Sequence, residues 1–128
     1  MLSQAKVHHV AIICSDYARS KHFYTEILGL PVIQEVYRAE RQSYKLDLKV
    51  GESQIELFSF PSPPPRLTRP EACGLRHLAF EVKDVEATVK YLRDNAVEAE
   101  DIRVDEYTGK RFTFFRDPDD LPLEVYEN

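Results

Sequence analysis

The chain has 128 residues, two Cys, no Trp and a formal charge of −5. That length is short for two ordinary domains and sufficient for one that buries about two-thirds of its unfolded surface. An acidic excess (22 Asp and Glu against 17 Lys and Arg) leaves no basic footprint for nucleic acid, and no apolar run reaches the roughly 18–20 residues that cross a bilayer. Cys14 and Cys73 are too far apart to suggest a disulfide scaffold or a zinc knuckle, and residues 1–6 lack the apolar core of a secretory signal. The expectation is a cytoplasmic protein whose partner is a small molecule or another protein, with no nucleic acid and no membrane.

Residues 7–14 alternate in period two, as a half-buried strand does. Ser15 or Asp16 can cap a following helix with Phe23, Ile27 and Leu28 near one face, and Gly29 fits its end. Strands are expected at 31–37, 43–50 and 53–60, with Gly51 marking a turn. The Pro-rich stretch 61–70 suits neither a ladder nor a helix and reads as a stiff connector. Beyond it come a strand at 75–83, a helix from Asp84 to about Asn95, and strands near 97–104, 110–116 and 121–127. The fold class is α+β: two tandem βαβββ modules, about 5–60 and 73–128, joined by a connector at 61–72 into a single domain.

The two halves are repeats. Residues 7–16 laid over 75–84 align His9 with His77, Ala11 with Ala79 and Asp16 with Asp84, an offset of 77 − 9 = 68. The same offset carries Glu56 onto Glu124, since 124 − 56 = 68. By alternation Val10, Ile12, Cys14, Ile55, Leu57, Leu78, Phe80, Val82, Leu123 and Val125 share one face, expected under the helices. His9, Glu56, His77 and Glu124 fall on the other. Two imidazoles and two carboxylates suit a divalent first-row ion (nickel, cobalt or zinc, with manganese also allowed) and leave positions open for water or substrate. Calcium and magnesium prefer oxygen donors throughout.

Several motifs carry a family resemblance: His8-His9-Val10-Ala11-Ile12, Phe23-Tyr24 before Ile27-Leu28-Gly29-Leu30, Ile55-Glu56-Leu57, Arg76-His77-Leu78-Ala79-Phe80, and Asp117-Pro118-Asp119 before Leu123-Glu124. Over nearly the whole chain the sequence resembles the vicinal oxygen chelate superfamily (glyoxalase I, bleomycin resistance, extradiol dioxygenase), within it the short glyoxalase I-like proteins. Residues 69–77 look like those of the YaeR-type bacterial subgroup. The resemblance implies curved mixed sheets with helices outside, one divalent metal per site held by His9, Glu56, His77 and Glu124, and a homodimer. It also implies Glu124 as the proton shuttle, with Glu56 sharing the coordination.

The chain departs from the glyoxalase I pattern at three places. The family usually has an Arg four residues after the first ligand, holding a glutathione carboxylate, and an Asn four residues after the second; here Ile13 and Phe60 stand there. Losing a charge-assisted contact costs roughly 1.5–3 kcal/mol, so the glutathione substrate transfers less well than the metal site. Asp120 stands where the family commonly has Gly. Arg38, Lys110 and Arg111 are further candidates for holding an anionic substrate, though exposed basic residues are more often plain solvated charge. Arg41 stands with them just past an earlier strand. His8 and His22 are not expected to be ligands; Phe112, Phe114, Phe115, Tyr107 and Tyr126 are expected as core or pocket wall, and Cys14 as inert core.

The leading expectation is a metal-dependent lyase or isomerase that shifts a proton through an enediolate of a vicinal-oxygen substrate, with Glu124 and Glu56 as the catalytic carboxylates. Acyl-thioester epimerisation is opposed by Glu56, where those epimerases commonly carry Gln. A fourth ligand at Glu56 also counts against a dioxygenase triad and, more weakly, against thiol transfer. A non-enzymatic drug-binding protein of the same fold would lack the ligands that this chain retains.

Overall fold

A computed structural model describes residues 1–128 and resolves them into two compact units, Met1–Pro65 and Arg66–Asn128. Each holds one four-stranded mixed sheet. No helix is long and apolar enough to cross a membrane.

The first unit runs β1 (His9–Cys14), α1 (Tyr17–His22), β2 (Val32–Arg38), β3 (Ser43–Val50) and β4 (Ser53–Ser59), in sheet order β1-β4-β3-β2. The β1–β4 pair is parallel and the other pairs antiparallel. Asp16 starts α1 by accepting a hydrogen bond from the Arg19 amide at 3.1 Å, the capping geometry that stabilises a helix by about 1 kcal/mol. The expected single helix changes pitch at Phe23, where a π turn spans Phe23–Ile27 and the Leu28 amide donates to the Phe23 carbonyl at 2.9 Å. The wider turn puts Phe23 and Tyr24 side by side into the core with Ile12, Cys14, Leu46, Leu48, Ile55 and Leu57. Gly29 follows at φ +70°, as expected for the helix end.

The second unit runs β5 (Leu78–Val82), α2 (Val85–Asp94), β6 (Arg103–Val104), β7 (Arg111–Arg116) and β8 (Pro122–Glu127), in sheet order β5-β8-β7-β6. Asp84 caps α2 as Asp16 caps α1, accepting from the Ala87 amide at 2.9 Å. Val85, Val89 and Leu92 of α2 are buried, as are Phe115, Leu121, Leu123 and Val125.

Two strands are shorter than expected because side chains take their carbonyls. The strand expected near 97–104 shrinks to Arg103–Val104: Arg93 Nη2 donates to the Ala99 and Glu100 carbonyls, and Thr113 Oγ1 to those of Glu100 and Asp101. The strand expected at 75–83 begins only at Leu78, since Arg66 Nη2 holds the Leu75 and Arg76 carbonyls at 2.7 and 3.3 Å. Val10, Leu78, Phe80 and Val82 are half-buried rather than enclosed, all on edge strands with a neighbour on one flank only. Tyr107, expected as core or pocket wall, is instead 89% exposed in the turn before β7. The Pro-rich segment does join one isolated bridge, Thr68 with Glu71.

Candidate functional site

The 68-residue repeat survives as strand register. Ala11 of β1 faces Glu56 of β4, and Ala79 of β5 faces Glu124 of β8. Because the side-chain period is two, each Glu projects on the sheet face opposite the buried Ile55–Leu57 or Leu123–Val125 pair. In the first unit His9 Nδ1 stands 3.3 Å from Glu56 Oε2; in the second His77 Nε2 stands 2.9 Å from Glu124 Oε2. Each unit thus brings together one predicted His and one predicted Glu. Neither gathers three or more His, Cys, Asp or Glu side chains into a cluster.

The two pairs differ in their surroundings. Opposite Glu56 in the β3–β4 ladder is Asp47, and Lys45 Nζ lies 2.7 Å from Asp47 Oδ1 and 3.7 Å from Glu56 Oε1. Opposite Glu124 in the β7–β8 ladder is Phe114, whose ring meets the His77 ring edge-on at 5.0 Å. One carboxylate therefore faces a charged network and the other an aromatic wall. Sequence reasoning missed Lys45 and Asp47. The signal was present, since a strand at 43–50 that buries Leu46 and Leu48 must turn both to the face of Glu56.

The imidazoles also have neighbours of their own. Arg76 Nη1 lies 3.1 Å from His77 Nδ1. Arginine only donates, so Nδ1 accepts here and Nε2 carries the proton directed at Glu124. His8 Nδ1 lies 2.9 Å from His9 Nδ1, a contact in which one ring donates to the other. His22 ends α1.

The remaining candidates divide. Ile13 is 55% exposed on the His9 face and pairs in register with Phe58, while Phe60 stacks on Phe58 with centroids 6.0 Å apart. Arg38 reaches both rings, its guanidinium carbon 4.9 Å from the Phe58 centroid and 5.8 Å from that of Phe60. Arg111 is held by carboxylates, with Nη1 2.8 Å from Glu86 Oε1 and Nη2 3.1 Å from Glu127 Oε1. The Glu127 contact, aided by the Glu127 charge, holds the Arg111 guanidinium above its ordinary range. Lys110 sits in the turn before β7, its amide 3.3 Å from Thr108 Oγ1.

Away from this face, the Tyr17 hydroxyl donates to Glu35 Oε2, which Lys21 Nζ also contacts at 2.8 Å. Burial pushes the Tyr17 phenol well above its ordinary value, and the hydrogen bond to Glu35 adds to the rise. The Lys21 and Tyr17 hydrogen bonds hold the Glu35 carboxyl below its usual range.

Comparison with known proteins places the fold and the family. YwkD of Bacillus subtilis (strain 168) is 63% identical over 122 residues, 94% of this chain and 95% of that protein. YaeR of Escherichia coli (strain K12) is 61% identical over 128 residues, 99% of each. The crystal structure of SMU.1112c superposes with a TM-score of 0.93 at 50% identity, covering 95% of this chain and 98% of that one. Lactoylglutathione lyase from Agrobacterium tumefaciens shares the fold at 20% identity (TM-score 0.73, covering 97% and 94%), and a 2-epi-5-epi-valiolone epimerase from Actinomyces sp is 29% identical over 93% of this chain and 77% of that protein. Residues 6–125 match the Glyoxalase/Bleomycin resistance protein/Dioxygenase superfamily, and the chain belongs to that superfamily.

Proposed function

We propose that the protein is a divalent-metal-dependent lyase or isomerase of the glyoxalase I kind, acting on a small molecule with vicinal oxygens. The observation that carries this reading is the recurrence of one His–Glu contact at matching places of both units, His9 with Glu56 and His77 with Glu124. The donor chemistry fits a first-row ion, one imidazole nitrogen and one carboxylate oxygen from each unit. A full set of four donors takes one pair of each kind, supplied in our reading within a homodimer. Bound there, nickel, cobalt, zinc or manganese would polarise a substrate carbonyl and stabilise the adjacent enediolate oxygen.

Glu124 is the group we assign to carry the substrate proton. It is only 8% exposed, faces Phe114 rather than a cation, and meets His77 Nε2 at 2.9 Å. Glu56 instead lies 3.7 Å from Lys45 Nζ, so an ammonium already faces that carboxylate. Aromatic surface around Glu124 keeps water from competing for the proton.

Metal analysis after chelator-free purification tests the reading. About one divalent ion per four-donor set is expected in the wild type and little in a Glu56→Gln, His77→Ala double variant. Wild-type protein that takes up no divalent ion when offered nickel, cobalt, zinc and manganese would overturn it. Methylglyoxal assays with glutathione and then with other thiols test the substrate: Ile13 and Phe60 lead us to expect no strict need for glutathione. A second reading, epimerisation beside a carbonyl, is favoured by the likeness to the Actinomyces epimerase. It predicts solvent deuterium entering at the carbon whose configuration inverts with the carbonyl left in place, whereas the isomerase moves the carbonyl to the neighbouring carbon.

A further inference from the structure

We propose that Arg38, seated on Phe58 and Phe60, anchors a carboxylate of the substrate, and that the substrate is an organic acid whose carboxylate is attached to a planar apolar group. The proposal rests on the reading above only for the reacting end of the molecule.

Lys45 shares the face with Arg38, but its ammonium is already engaged by Asp47 and Glu56. Arg111 is engaged by Glu86 and Glu127. Arg38 has no carboxylate within ion-pairing reach, although it is half-buried. A guanidinium withdrawn from water normally has an anion to face.

Its setting is also fixed. Nη2 donates to the buried Ser43 hydroxyl at 2.9 Å, and the guanidinium lies over two phenyl rings that are themselves stacked. Nε is buried and makes no hydrogen bond. Such a group is oriented in advance, so little further ordering is lost when a carboxylate takes its fork. The neighbouring Ile13, in register with Phe58, extends the apolar surface on the same face.

Position along the sheet sets the span. Arg38 pairs with Ser43, and Asp47, opposite Glu56, lies four residues further along β3. That is roughly 13 Å of strand. A ligand held at both ends would place its anion on Arg38, its planar part against the exposed Ile13 beside Phe58 and its reacting oxygens near His9 and Glu56. The position usual for a glutathione anchor, Ile13, would instead contact this planar part.

The test uses the full chain, with and without EDTA, titrated with benzoate and with neutral benzamide while amide shifts are followed by NMR. Benzoate is expected to bind at least about tenfold tighter than benzamide and to move the Ser43, Phe58 and Phe60 signals. Arg38→Met should remove the preference, Arg38→Lys should keep part of it, and the exposed Arg19→Met should leave it intact. If Arg38→Met fails to fold, Arg38→Lys and the wild-type preference still decide. Equal binding of acid and amide, or no benzoate binding at tens of millimolar, overturns the proposal. Metal content of the same samples reports separately on the lyase reading: an Arg38-dependent preference in protein that takes up no metal sinks that reading and leaves the anchor standing.

Discussion

Asp47 stands directly opposite Glu56 in the antiparallel β3–β4 ladder, with Lys45 Nζ within 4 Å of a carboxylate oxygen of each. Both carboxylates are largely shielded, at 12% and 13% side-chain exposure. Two anions at that spacing repel unless a cation lies between them. Lys45→Met is therefore expected to destabilise the protein by about 1–3 kcal/mol, and Asp47→Asn in that background to recover part of the loss. Denaturant unfolding of the four proteins of this double-mutant cycle reads the coupling directly. Additive effects would mean that the lysine acts through packing alone.

The contact from Arg76 to His77 bears on metal uptake. Metal-bound histidines donate their other ring N–H to an acceptor, whereas Arg76 Nη1 is itself a donor facing Nδ1. Binding a cation at Nε2 moves the ring proton to Nδ1, where it would face the Arg76 donor, so Arg76 must turn aside. Calorimetry of nickel or zinc binding to the wild type and to an Arg76 variant measures the cost of that displacement. Arg76→Ala should tighten binding by a few-fold. Unchanged or weaker binding in that variant would assign Arg76 a supporting role instead.

Period-two alternation put Glu56 and Glu124 on the face away from the core, because Ile55 and Leu57 go inward only if Glu56 goes outward, and the same holds for Leu123, Glu124 and Val125. What alternation cannot supply is the neighbour across the ladder. Asp47 meets Glu56 while Phe114 meets Glu124, although the 68-residue offset alone would put Phe115 there. The third strand of the second unit is shifted by one residue relative to the repeat, so the surroundings of the two carboxylates diverge while the His–Glu contacts stay matched. Long-range capping was equally hidden. Nothing local says that Arg66 and Arg93 will take carbonyls from the strands expected at 75–83 and 97–104.

The paired helix caps are simpler to test. Asp16 and Asp84 accept from the amides of Arg19 and Ala87 at 3.1 and 2.9 Å, each opening a helix that covers its own sheet. Asp16→Ala and Asp84→Ala should each cost about 1 kcal/mol, and Asn at either place should cost far less. Chemical denaturation at neutral pH measures both. A loss confined to one variant would show that the repeat is not energetically matched.

Acid stability should report on Glu35. Its carboxylate accepts from Lys21 Nζ and the Tyr17 hydroxyl, and these hydrogen bonds hold its folded-state pKa below the ordinary value. A group whose pKa is depressed on folding releases its proton more readily in the native state, so its stabilising contribution is complete above the usual carboxylate range. The contribution is lost as pH falls through that range toward the depressed folded value. Glu35→Gln should therefore lower stability at pH 7 yet converge with the wild type in acid. The neutral limb of Lys21→Met should fall in the same direction, because the largest cause of the depression is removed. Urea midpoints of the three proteins, measured from pH 3 to pH 7, distinguish this from a packing defect, which would separate the variants from the wild type by the same amount at every pH.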